Sequence, residues 1–301
     1  MKSKPNFQFY NQVSPRYIEP LFLQMEYDRW YKLSDMKSFL HKELGIEGSD
    51  VAQRNMEAWS LAGIGESQLV KGERNHYYLF RILPIGRQIL ETYSTNRDLF
   101  FDIIHFLFYS TWHRSKDVFR GRFWVYSSVC DELWLTAPSM MDSFELTAKL
   151  HADSQQLFPE AEPTFPERSV RAVFPWLAAS APPFLEKGES SQKFRSQRRA
   201  FCTPQLFHLA IDLFYTIRSL KYGTSISIDD ETIQLISKTC LLDPNQFWDM
   251  ADRTKMSIRG FEIRKGQWGT SIALEGPPTW IELPELKPLS PQDSFEEGEE
   301  K

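Results

Sequence analysis

Three stretches decide the fold: LSDMKSFLHKELG at 33–45, SDVAQRNMEAWSLAGIG at 49–65 and SQLVKGERNHYYLFRI at 67–82. In the first, Met36, Phe39, Leu40 and Leu44 recur at helical spacing, Ser34 is placed to cap the start, and Gly45 stands where a C-cap belongs. In the second, Ser49 or Asp50 caps a helix that turns Val51, Ala52, Met56, Trp59 and Ala62 inward, and Gly63 and Gly65 stop it. The third holds two β-rich runs joined by the polar turn Lys71-Gly72-Glu73-Arg74-Asn75, which reads as a hairpin. Upstream, residues 1–15 read as a loose arm, and Ile18, Leu21, Phe22 and Met25 predict a helix reaching Asp28. Downstream, Pro84 suits the first turn of another helix, with Ile85, Ile89 and Leu90 apolar. Helix, helix, turn, helix, hairpin, helix is the order of a winged helix-turn-helix whose wing is the hairpin.

Working outward, residues 97–150 are strongly apolar. Leu99 to Phe108 cover most of a helix circumference, so that helix is expected to be buried on nearly all sides. Phe123 to Trp134 and Met140 to Leu150 predict two more helices. Pro residues crowd 157–190, Val170 to Ala179 suits a docking helix, and Glu186 to Ser196 is polar and Gly/Ser-rich, as in a linker or exposed loop. Thr203-Pro204 opens a helix, Asp229 another and Asp243-Pro244 a third. Phe261 to Ile263 and Thr270 to Leu274 then suggest a hairpin around Gly266 to Gly269.

The expected fold is therefore mainly α with small β-hairpins. Its parts are a winged helix-turn-helix over 1–95, an aromatic-rich helical region over 96–155 and a Pro-rich, basic linker region over 156–200. An α+β unit over 201–283, for which a second winged-helix-like arrangement is one reading, and a disordered acidic tail over 284–301 complete it.

Composition sets bounds on function. Hydrophobic residues make up 42% and there are 23 Phe and 9 Trp, enough to fill real cores, so a wholly disordered chain is excluded. The net charge of -5 argues against a broad electrostatic grip on nucleic acid, but residues 291–301 alone carry five acids against Lys301. Residues 1–99 are close to neutral, with 13 Lys and Arg against 12 Asp and Glu. The three cysteines, Cys130, Cys202 and Cys240, form no CxxC pair, which fits a reduced compartment. No apolar signal core opens the chain and no stretch is long enough to span a bilayer, so the cytoplasm is the expected location and no membrane partner is expected.

Two basic clusters suit nucleic acid. On the second helix of the winged unit, Asp50, Gln53, Arg54, Glu57 and Ser60 are expected to face outward. Gln53 and Arg54 carry the donor forks that read base edges in a major groove. Lys71, Arg74 and Asn75 on the wing suit phosphate or minor-groove contacts. The plain alternative is a winged helix used as a scaffold or a protein dock. The second cluster is Lys193, Arg195, Arg198 and Arg199, four cations without an acid, suited to phosphates or equally to a solvated loop.

Other chemistry is thin. Asp102, His105, Tyr109 and His113 share one helix face, but a di-metal bundle needs a second such motif and none occurs; a buried histidine oriented by Asp102 is the ordinary reading. Cys202 and His208 lack a third triad member. Glu262-Ile263-Arg264-Lys265 and Glu285-Leu286-Lys287 echo the acid–lysine end of a nuclease site without an upstream Asp on a strand. No phosphate-binding Gly-rich loop, HExxH or GxSxG is present. No cofactor or metal is implied, and no residue is assigned a catalytic role.

Ser14-Pro15-Arg16-Tyr17 followed by apolar residues, the Leu83-Pro84-Ile85-Gly86-Arg87 helix start and the aromatic helix from Leu99 to Trp112 resemble a bacterial family known as domain of unknown function 4007. The resemblance covers the first third of the chain, with weaker echoes at Arg199 to Leu213, and the family's usual opening histidine is replaced by Phe9-Tyr10-Asn11. It implies a winged-helix-like unit and a setting beside phage-defence and DNA-modification genes. It implies no reaction.

The expectation is a DNA-binding accessory or regulatory protein, with duplex DNA as partner, in a prokaryotic antiviral defence or DNA-modification system. A protein–protein adaptor subunit is the first alternative and a metal-dependent nuclease the second.

Overall fold

A computed structural model describes residues 5–47, 49–71, 76–188, 192–267 and 269–286, with the side chains of Ser49, Lys71 and His76 left aside. The chain is mainly helical, and the described residues form three small antiparallel three-stranded sheets. The expected disordered tail falls almost wholly outside the described residues.

The start of the chain is not the loose arm its polarity suggests. Phe7 and Phe9 are buried, Phe9 against Phe108 and Tyr126 at ring separations of 5.7 and 5.4 Å. Burying a Phe side chain is worth about 1.5–3 kcal/mol, enough to hold a short segment down. The helix expected over 18–28 is also shorter. A 3-10 turn, Pro15–Tyr17, runs into one π turn, Ile18–Phe22, and stops.

Strand β1 (Tyr31–Lys32) leads into α1 (Leu33–Leu44), α2 (Ser49–Leu61), β2 (Gly65–Lys71) and β3 (His76–Ile82). The start of α1 is held by the Asp35 carboxylate, which accepts from the Lys32 amide at 2.9 Å, so the cap position is Lys32 rather than Ser34. Gly45 ends it at a φ of 68°, the left-handed region that costs glycine nothing. Trp59 of α2 stacks on Phe22 at 3.6 Å between ring centroids. The sheet order is β1-β3-β2, with Leu69 opposite Tyr78 in the hairpin and Tyr31 opposite Phe80 at its edge.

Helix α3 (Pro84–Thr95) begins at the expected proline. Helix α4 (Arg97–Ser115) is capped by Asn96, which accepts from the Leu99 amide at 3.1 Å, and every residue from Phe100 to Thr111 is buried. It packs against α3, α5 (Gly121–Thr136) and, far along the chain, α9 (Pro204–Ile217), so it is the axis of the molecule.

Between them lie β4 (Ser139–Asp142), α6 (Ser143–Leu157), α7 (Glu167–Arg171), α8 (Phe174–Ala178), β5 (Leu185–Lys187) and β6 (Lys193–Ser196). Within the stretch from Glu186 to Ser196, expected as a linker or exposed loop, Glu186, Lys187 and the residues from Lys193 to Ser196 therefore lie in strands. Met141 pairs with Phe194, and Lys187 pairs with the same Phe194 on the other side. Alternation explains it: Phe194 turns inward onto Phe174 at 4.3 Å, while Lys193 and Arg195 point out to solvent. The helix expected from Met140 starts three residues later, because Ser139–Asp142 is taken up by this sheet.

After α9 come β7 (Ile226–Ser227), α10 (Asp230–Thr239), a 3-10 turn at Pro244–Gln246, α11 (Phe247–Ser257), β8 (Phe261–Gly266) and β9 (Gly269–Leu274). Thr203 caps α9 and Asp229 caps α10, through the amides of Leu206 and Thr232. The sheet order is β7-β9-β8. The element order from α9 to β9 repeats that from the first helical turns to β3: helix, strand, helix, helix, strand, strand, with the first strand against the last. Buried apolar residues from Phe7 to Ile281 form one continuous core. Among the described residues no helix is long and apolar enough to cross a membrane.

Candidate nucleic-acid interface

The two copies of this element order differ in what covers the second of their paired helices. On α2, Val51, Ala52, Met56 and Trp59 face the core, as their spacing predicts. The opposite face is not open. Glu57, expected outward, is buried at 1% exposure, with its carboxylate held between Arg54 and Arg122 at 3.2 and 3.3 Å. The reason is the arm. Tyr10 lies over this face, with the Arg54 guanidinium 4.1 Å and the Arg122 guanidinium 5.3 Å from its ring centroid. Asn55 donates to the Gln12 carbonyl at 2.7 Å, tying the arm down further.

Gln53 is half-buried and donates to Glu57 at 3.2 Å. Arg54 spends its Nη1 on both Glu57 oxygens, keeps a fifth of its side chain exposed, and borders a cavity of about 190 Å³ shared with Tyr10, Gln12, Asp50 and Arg168. A groove-reading fork needs free donors and a clear approach, and Arg54 has neither in full. Lys71 closes β2 opposite His76. Arg74 and Asn75 lie outside the described residues.

The 193–199 cluster divides. Lys193 and Arg195 are exposed on β6. Arg198 lies over Trp134 at 4.6 Å and donates to the carbonyls of Trp134 and Leu135. Arg199, expected as a phosphate contact, is buried at 1% exposure and paired with Asp102 at 2.8 Å. A guanidinium at that depth is out of reach of a polyanion. Asp102 thus serves Arg199 and the Thr203 amide, not His105. His105 instead bonds the Tyr126 hydroxyl and the Thr239 carbonyl, at 3.1 and 3.0 Å. Burial pushes the His105 imidazole down to about 4, so it is neutral. Among the described residues no cluster of metal-ligating side chains occurs. His208 accepts from Trp280 at 3.1 Å.

On α11 the picture reverses. Phe247, Met250, Ala251 and Thr254 face the core, and Trp248, Asp249, Asp252, Arg253, Lys255 and Met256 are exposed. The turn before it is set by Asp243, which accepts from the Asn245 amide at 2.9 Å. The hairpin beside it exposes Arg264, Lys265 and Gln267 at its tip side, and Arg259 is exposed between the two. Arg264 pairs with Glu262 at 2.6 Å; among the described residues Arg253, Lys255, Arg259 and Lys265 have no ion pair. The sequence marked this helix and hairpin, and offered a second winged-helix-like unit here, but singled out no residue of either as a DNA contact. The signal was the repeated order of elements, which becomes legible only once the two-residue strands β1 and β7 are seen.

Comparison with protein-family models, with curated proteins and with solved structures gave no match.

Proposed function

We propose that the chain is a DNA-binding accessory protein built on two winged helix-turn-helix units, of which the C-terminal one meets duplex DNA. Helix, strand, helix, helix, strand, strand, with the first strand against the last, is the winged-helix order. The observation that carries the reading is the open face of α11, where Arg253 and Lys255 have no ion-pair partner among the described residues and stand beside a cationic hairpin. In this reading α11 lies in the major groove, Arg259 and Lys265 hold phosphates, and Asn245 and Arg253 reach base edges. Asp249 and Asp252 on the same face restrain nonspecific binding by repelling phosphate. Gln53 and Arg54 act in the scaffold of the first unit rather than as readers. The setting is a prokaryotic defence or DNA-modification system, as the likeness of the first third to domain of unknown function 4007 implies.

Fluorescence anisotropy with a random-sequence duplex at low salt tests it. The wild type binds with an affinity that falls steeply with salt, through counterion release. The Arg253→Ala/Lys255→Ala double variant loses at least about tenfold, whereas Arg54→Ala changes little. Equal binding by wild type and the double variant overturns the reading.

The adaptor reading keeps one specific support. Trp248 and Met256, 37% and 80% exposed, share the open face of α11, and aromatic and Met side chains favour protein interfaces. Stable co-purification of a protein partner after nuclease treatment, lost in Trp248→Ala, favours it over DNA.

A further inference from the structure

Pro15 and Arg16, from the Ser14-Pro15-Arg16-Tyr17 stretch that the DNA reading leaves without a task, line a cavity of about 410 Å³ together with Glu19. Tyr93, Arg97, Asp98 and Phe101, from the junction of α3 and α4, line it as well. That volume lies within the range of ~300–1,000 Å³ that small-molecule sites occupy.

Two guanidiniums face this space, and each is fixed by aromatic contact. Arg16 lies 4.5 Å from the Tyr17 ring centroid and donates to the Tyr17 hydroxyl. Arg97 lies 4.7 Å from the Tyr93 ring and donates to its hydroxyl at 2.8 Å. Neither has a carboxylate partner among the described residues. The Tyr93 hydroxyl donates in turn to the Glu19 carboxylate at 2.7 Å, so Arg97, Tyr93 and Glu19 form a hydrogen-bonded chain. Two held forks without carboxylates match the oxygens of a phosphate monoester, which takes two parallel charge-assisted bonds from each.

The rest of the lining narrows the choice. Pro15, Phe101 and Ala179 are the apolar part of the lining, with the Arg97 guanidinium 5.9 Å from the Phe101 ring centroid. Glu19 and Asp98 are acceptors only and suit hydroxyl or amino donors. Phosphate, donor-bearing sugar and planar ring together describe one ligand class.

We infer that this cavity binds a nucleoside monophosphate, with the phosphate held by Arg16 and Arg97 and the base against the apolar part of the lining. The site shares no residue with the face of α11 and stands or falls apart from the DNA reading.

Isothermal titration of the full chain with adenosine 5′-monophosphate tests it, with adenosine and inorganic phosphate as separate arms. Saturable binding is expected, with Kd raised about tenfold or more by Arg16→Ala and by Arg97→Ala. Arg97→Lys recovers part of the loss, because charge returns without the fork. Both arginines are exposed, and an unchanged circular dichroism spectrum certifies the fold of each variant. Adenosine binds more weakly than its monophosphate, and phosphate competes. No saturation up to about 5 mM nucleotide, or identical titrations for the wild type and the Arg16→Ala/Arg97→Ala variant, overturns the inference. Binding of a 5′-phosphorylated single strand without binding of the free nucleotide overturns it as well, and assigns the cavity to a strand end.

Discussion

Arg199 donates through Nη1 to Asp102 Oδ1 at 2.8 Å, and neither side chain has any exposure to solvent. The pair joins α4 to the start of the C-terminal unit. Asp102 also accepts the Thr203 amide, and Arg199 also donates to the Ala181 carbonyl at 2.6 Å. Removing one partner leaves a buried charge alone, which costs about 3–5 kcal/mol. Asp102→Leu is expected to lower stability by that amount in urea denaturation. Asp102→Leu combined with Arg199→Met loses less than the two single losses added, because no charge is left behind. Strict additivity would sink the assignment of this pair as a coupled ion pair.

Two buried histidines set an acid limit. Burial pushes His105 and His208 down to about 4 from an ordinary value near 6.5. The unfolded chain therefore binds protons that the folded chain refuses. Their contribution is fully present above about pH 6.5 and drains as pH falls toward 4, at up to about 1.4 kcal/mol per pH unit for each. Denaturation at a series of pH values is expected to show this slope. His208→Gln, which keeps an acceptor for Trp280, flattens it; an unchanged slope in that variant refutes the assignment of His208 as a neutral buried base.

Gly86 marks a close approach. A Cβ there would stand 2.3 Å from the Ile64 carbonyl oxygen and 2.7 Å from the Ile82 side chain. Backbone cannot yield as a flexible side chain does, so Gly86→Ala separates α3 from the β2–β3 sheet. A loss of about 1–3 kcal/mol is expected, read as a lowered thermal midpoint. A neutral or stabilising outcome, as at an ordinary helical glycine, contradicts the packing.

The cysteines are expected to be inert. All three are free and buried, and burial pushes the thiols of Cys130 and Cys240 well above their usual range. Thiolate is the reactive form. Native protein should take up iodoacetamide at none of the three over an hour at neutral pH, and at all three in denaturant, by intact mass. Fast modification of Cys240 in the native state disproves its burial.

Local rules carried the parts of the fold that local residues determine. The end of α1 at Gly45, the start of α3 at Pro84, the cap of α9 at Thr203 and the burial of α4 all follow from side chains within a few positions. Pairings across long separations were not legible. Ser139–Asp142 is a strand only because Lys193–Ser196 lies beside it, and Glu186–Ser196 looks like a linker until Phe194 finds Phe174. The same limit applies to the candidate interface. The polarity of Arg54 and Glu57 is right for an outward face, yet Tyr10 and Arg122 arrive from elsewhere to cover it. Arg199 looks like one of four surface cations, and only its partner 97 positions away marks it as interior. Arg16 and Arg97 were invisible as a pair because nothing local relates them.

The Trp176 indole donates to the Val13 carbonyl across 163 residues of chain. On the ribosome, at about 5–20 residues per second, that interval lasts on the order of ten to thirty seconds. Until α5 is made within it, Phe7 lacks Trp124, Phe9 lacks Phe123 and Tyr126, and Glu57 lacks Arg122. A nascent chain halted before α5 is thus an adhesive object, and a fragment ending at residue 95 inherits the same defect. Holding chaperones, rather than faster synthesis, are what such a chain needs in order to reach its native state in good yield.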